Sequence, residues 1–209
     1  MINDFWMFAL ATLLMNLTPG NDVLYIISRS TEQGVKAGVL SAMGIACGCL
    51  VHVTAAAAGL STIIASSVMA FNIIRYVGAA YLLYLGMRAL FNRKKTACLP
   101  MERPVQASYS RLFWQGALTN VLNPKVALFF LAFLPQFVDI RGLHVWESIL
   151  LLGMWFNISG TVVNSLYAIL FGRIGEFLRQ SPRWLKVQER VTGVVLIALG
   201  LKVAFTSKK

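Results

Sequence analysis

Charge is what this sequence has least of. Asp, Glu, Lys and Arg make up 13% of its 209 residues, about half the share usual in soluble domains. An ordinary water-soluble enzyme is excluded, and so is a disordered chain, because 57% of the residues are apolar. Cysteine is equally sparse. Cys47, Cys49 and Cys98 form neither a C-x-x-C pair nor a metal-ligand spacing, so they read as small packing residues rather than as a disulfide framework or zinc site. The sequence also lacks a phosphate loop, a Ser/His/Asp set and a cluster of metal ligands. An ATP-driven pump within the chain is thereby excluded, and neither catalytic chemistry nor a cofactor is expected. The net charge of +11 belongs to a chain of mean hydropathy +0.68, which makes it a membrane-topology signal and not a nucleic-acid footprint.

What the sequence has is hydrophobic length. A helix needs roughly 20 mostly apolar residues to cross a bilayer. Residues 39–65, 69–91, 113–137 and 146–171 meet that requirement. Residues 5–27 meet it with a polar interruption, and 187–205 more weakly because of Glu189 and Arg190. The expected fold class is therefore an all-α integral membrane protein of six transmembrane helices, one domain over 1–209. The first span is not expected to be a cleaved signal peptide, since Asp4 stands where a basic segment would and the apolar run is too long. With both termini outside, twelve of the 19 basic residues fall on inner loops, among them Arg29, Lys36, Arg93, Arg111 and Arg173, against five outside. The positive-inside rule thus predicts periplasmic termini.

The chain also repeats itself. Pro19 and Pro124 lie 105 residues apart, as do Gly48 and Gly153. Each proline interrupts an apolar span among polar neighbours: Thr18-Pro19-Gly20-Asn21-Asp22, and Asn120-Val121-Leu122-Asn123-Pro124-Lys125. Three spans per half is an odd number, so the halves, about 1–91 and 111–206 around a basic linker at 92–111, would run oppositely as a 3+3 inverted repeat. Freed backbone groups are tolerated in a membrane only inside protein or against a water-lined cavity. Paired interruptions of this kind point to a transporter's central site; simple packing kinks are the alternative.

Each break carries an ionisable residue, Asp22 in one and Lys125 in the other. An intramembrane charge marks a substrate, ion or proton route by default. A zwitterionic amino acid fits the pair. Its carboxylate suits Lys125 and helix N-terminal N–H groups, and its ammonium suits Asp22 and helix-end carbonyls. Asn21, Asn120 and Asn123 would complete the polar lining. A buried Asp22–Lys125 ion pair that locks two helices, or a gate, are the alternatives. Desolvation favours the neutral form of a carboxyl, a property that a proton carrier needs. His52 falls on a face with Gly44 and Gly48, where it serves either packing or proton relay. Asn157, Thr161 and Asn164 or Ser165 share a face of the fifth span, as cavity lining or as interhelical hydrogen bonds. The glycine faces would also allow a homodimer.

The two break motifs, together with Gly34, Gly38 and Gly44, the run Tyr81-Leu82-Leu83-Tyr84-Leu85-Gly86 and the run Phe133-Leu134-Pro135-Gln136-Phe137, resemble the lysine-exporter (LysE) superfamily. The most similar branch is that of the RhtB-type homoserine/threonine exporters. The resemblance implies an inner-membrane secondary transporter that expels amino acids or their derivatives, threonine, homoserine and homoserine lactone included, by proton exchange. Its motif residues map to Pro19, Gly20, Asp22, Asn123, Pro124 and Lys125. Two features depart from the family: Asn21 stands where many members have a second proline, and the fifth span has Asn157 and Asn164 where several carry an acid. A small-cation or metal-ion exporter, with Asp22, His52 and Cys47 or Cys49 as ligands, is the alternative. Lys125 opposes it by repulsion, and a soft metal wants several convergent ligands.

Overall fold

In the computed structural model the described residues are 4–18, 20–60, 68–91, 107–139 and 144–179, with positions 190, 193–194, 197–198, 200–201 and 204. They are overwhelmingly helical. Helix α1 (Phe5–Leu17) is followed by α2 (Asn21–Ala55), which ends in a π-helical turn (Ala56–Leu60). Then come α3 (Val68–Phe91), α4 (Tyr109–Val121) and α5 (Pro124–Leu128), which continues through a π-helical turn (Phe129–Phe133) into a 3-10 turn (Leu134–Phe137). Helix α6 spans Val145–Arg179, and the described positions from 190 to 204 are helical too.

The outside of this bundle is greasy. Trp6 is 82% exposed and Leu122 69%, within a surface of leucines, valines and methionines far larger than a soluble monomer exposes. Asn21–Gly59 and Val145–Arg173 are long and apolar enough to cross a membrane, and Tyr109–Val121 with Pro124–Phe137, bent by 43°, makes a third candidate. The first of these turns back on itself. At Gly34 the backbone takes φ 83°, ψ 179°, a conformation open almost only to glycine. Residues 30 and 38 would stand about 12 Å apart along a continuous helix, yet a Cβ on Gly38 would lie 3.0 Å from Ser30 Cβ. Ile26, Ala42 and Ile45 likewise share one buried cluster with Ala168. Residues 21–33 and 35–55 are therefore two antiparallel arms.

Small residues set the packing of the second arm. Gly44 lies against the Phe113 backbone and Gly48 against that of Ala117, so this arm runs parallel to α4 at close range. On its other side it meets α6 antiparallel, with Gly172 against Val35 and Gly153 against Val53. Helix α3 packs through Gly78 on Ala132, and through Gly86 on Gly193 and Ile197. Glycine permits such backbone approach where dispersion, not the hydrophobic effect, holds helices together. One end of the bundle is basic: Arg29, Lys36, Arg111 and Arg173 gather around the Gly34 turn, where Lys36 Nζ sits 4.7 Å above the Tyr109 ring. The opposite end is aromatic. Phe8, Phe129, Phe133 and Phe137 are all buried there, with Phe129–Phe133 and Phe133–Phe137 centroids 5.0 Å apart.

Candidate functional site

Two helix interruptions meet in the middle of the bundle, and local chemistry makes each one. Helix α4 ends at Val121, and α5 begins with Pro124 at its first position. That position needs no N–H, and proline's φ is already set for a helix. Asn123 caps it by accepting the Lys125 backbone N–H at 3.0 Å. In the first interruption the Thr18 N–H bonds Leu14 O at 3.0 Å and closes α1. Gly20, extended at φ −153°, ψ −166°, opens α2. Pro19 lies outside the described residues.

Lys125 and Asp22 face the opposite interruption, and each has partners other than its counter-charge. Lys125 Nζ reaches across to α1, donating to Met15 O at 2.9 Å and Thr18 O at 2.6 Å. These carbonyls belong to the negative end of a helix, where a cation is favoured. Asp22 sits in the first turn of α2, the positive end. Its Oδ2 accepts from Asn120 Nδ2 at 2.8 Å. Among the described residues the close acid–base side-chain contacts are Arg29–Glu32 and His144–Glu147, and no Asp22–Lys125 contact joins them. Asp22 Oδ1 and Asn120 Oδ1 are both buried and have no hydrogen-bond partner.

Around these groups lies a small, partly open cavity lined by both interruptions and by α6. Gly20, Asp22, Asn120, Asn123 and Lys125 line it as one polar patch. The remaining sequence-predicted residues stand elsewhere. Asn21 and Pro124 are exposed and outside the lining. His52 is also outside, but its Nε2 lies 2.9 Å from the Asn120 carbonyl oxygen, which can only accept, so Nε2 carries the proton. Its ring stacks on Phe130 with centroids 6.1 Å apart. His52 thus steadies the last turn of α4, from which Asn120 holds Asp22.

On α6, Asn157, Thr161 and Asn164 line the cavity, while interhelical bonds to α1 are made by Ser159, whose Oγ accepts from Asn16 Nδ2 at 3.1 Å, and by Tyr167, whose hydroxyl donates to Leu17 O at 3.0 Å. Asn16 itself is a lining residue that sequence reasoning missed. The signal was there, a lone amide in an apolar span just before the Pro19 break. Gly160 makes room for it, since a Cβ there would lie 3.2 Å from Asn16 Oδ1. The apolar wall comes from Val23, Ile45, Ala46, Val126 and Phe156, with Cys49 beside them. Among the described residues no three of His, Cys, Asp or Glu converge; Cys98 lies outside them.

An apolar-surfaced helical bundle with a polar cavity between two interrupted helices defines the class: a membrane transporter. A family model, that of the LysE type translocators, matches residues 13–207. The chain belongs to that family and is a transporter, not an enzyme. It is 29% identical over 200 residues to the uncharacterized membrane protein YrhP of Bacillus subtilis, covering 92% of this chain and 94% of that one. It is 26% identical over 201 residues to the leucine efflux proteins of Salmonella typhimurium and Salmonella choleraesuis, covering 96% of this chain and 94% of theirs. No solved structure matches it.

Proposed function

We propose that this chain exports amino acids or amino acid derivatives across the inner membrane by proton antiport, as one six-span domain built from a 3+3 inverted repeat. One observation carries the reading: two buried acceptors without partners, Asp22 Oδ1 and Asn120 Oδ1, stand in the wall of a cavity that also holds a lysine. Buried acceptors are rarely left unpaired. An α-ammonium supplies the missing donors, and the substrate carboxylate goes to Lys125. Asp22 then alternates between substrate ammonium and proton. The uncharged remainder of the lining favours neutral amino acids, in keeping with relatives named leucine efflux protein.

The repeat is supported by equivalent roles 105 residues apart: Thr18 and Asn123 each terminate or open a half-helix, and Gly48 and Gly153 each take a close helix contact. The basic end around Gly34 is taken as cytoplasmic, which puts the start of α1, at the aromatic end, on the periplasmic side. Gly44 and Gly48, the face that would serve a homodimer, are occupied by α4 within the chain, so that face is not free to pair with a second copy. The test is uptake of radiolabelled leucine, threonine, homoserine and lysine into inside-out vesicles, with and without an imposed proton gradient. Gradient-dependent accumulation of a neutral amino acid, lost in Asp22→Asn, is expected. Metal-ion flux with no amino acid accumulation would move the chain to the ion-exporter class.

A further inference from the structure

Lys125 occupies the place that an amine would want. Its Nζ is held by Met15 O at 2.9 Å and Thr18 O at 2.6 Å, helix-end carbonyls of two residues that line the same cavity as Asp22 and Asn120. A substrate ammonium offers the same three tetrahedral donors as a lysine side chain, so the two compete for one patch. The stem of Lys125 runs along Gly20, where an added Cβ would lie 3.4 Å from Lys125 Cδ and 3.7 Å from Nζ.

From this we infer that Lys125 is a specificity-determining residue that selects for a carboxylate in the substrate, which narrows the proposed substrates of this chain to amino acids and derivatives that keep one. A ligand with an ammonium alone must either stand beside Lys125 as a like charge or displace it from the carbonyls and strand a buried cation, which is strongly unfavourable. A zwitterion avoids both. Its carboxylate gives Lys125 a charge-assisted partner in exchange for Met15 O and Thr18 O, and those carbonyls, with Asp22 and Asn120, then receive the ammonium. Lys125 is thus a resident stand-in for the substrate's amine, released only by the substrate's acid. Lys125 comes from the second half of the chain and its carbonyl partners from the first, so the exchange also loosens a link between the halves. The inference rests on the amino acid export reading.

The experiment compares L-leucine with L-leucinamide and isopentylamine, which keep the side chain and ammonium but lack the carboxylate. Uptake into inside-out vesicles and the thermal shift of the purified protein are both read. Wild type is expected to prefer leucine by about tenfold or more, which corresponds to about 1.4 kcal/mol. In Lys125→Gln, which is neutral and one atom shorter but keeps amide donors, leucine transport falls and the preference shrinks to within about twofold. Lys125→Arg, which keeps the charge, retains the preference. Equal handling of leucine and leucinamide by wild type overturns the inference while leaving export intact, and needs no variant to fold. A tenfold preference that survives in Lys125→Gln overturns it as well. If wild type neither binds nor moves any amino acid tested, the export reading fails and takes the inference with it.

Discussion

Replacing Gly48 by alanine tests whether close helix packing controls the site. A Cβ at Gly48 would lie against Ala117 O and 3.1 Å from both Ala117 C and Cα. These are backbone atoms of a helix and cannot rotate away, so α4 must retreat by roughly 1 Å to restore ordinary contact. Overpacking of this kind costs about 1–3 kcal/mol. For a chain of this size that corresponds to a loss of roughly 2–12 °C in Tm. The retreat also acts on the cavity, because Asn120 lies one turn beyond Ala117. The His52–Asn120 bond of 2.9 Å and the Asn120–Asp22 bond of 2.8 Å would both stretch toward the limit at which hydrogen bonds stop contributing. Transport should therefore fall by more than the amount of folded protein does. The assay is vesicle uptake normalised to folded protein, alongside thermal unfolding in detergent. Gly59→Ala is the control, since a Cβ there meets nothing within 4 Å. Equal stability and equal uptake for the two variants would refute the reasoning.

Two other expectations concern the backbone. Gly34→Ala meets no steric obstacle within 4 Å, so its cost is conformational, from φ 83°; it should lower stability by about 1–3 kcal/mol, measurable as a Tm loss against Gly59→Ala. Asn123→Ala removes the cap of α5 and should cost about 0.5–2 kcal/mol; Asn123→Ser, which keeps a capping oxygen without adding a charge beside Asp22, should recover part of that stability, and a denaturation series that ranks Ala equal to Ser would contradict the capping role.

The helix breaks were legible in the sequence because proline and a capping asparagine act on their immediate neighbours: the missing N–H of Pro124 and the cap of Asn123 work within one turn. Membrane residence was legible too, since the cost of burying charge in lipid sums over the whole composition. The polar patch of Asp22, Asn120, Asn123 and Lys125 was anticipated from the same motifs, and the cavity contains all four. Partner choice was not legible. Lys125 has a long, freely rotating stem, and whether it meets Asp22 or the carbonyls of Met15 and Thr18 depends on where α1 ends in space, 107 residues away from Thr18 along the chain. The direction of His52 is set likewise by its neighbours: close glycine packing presents it to Asn120 O instead of to the cavity. Asn16 joins the lining only because Gly160 leaves room for it. Local backbone chemistry and composition therefore settled where the helices break and what solvent surrounds them. The approach of helices distant in sequence decided which polar atoms were satisfied and which were left facing the cavity, because a hydrogen bond is a condition on position in space that no single segment can fix.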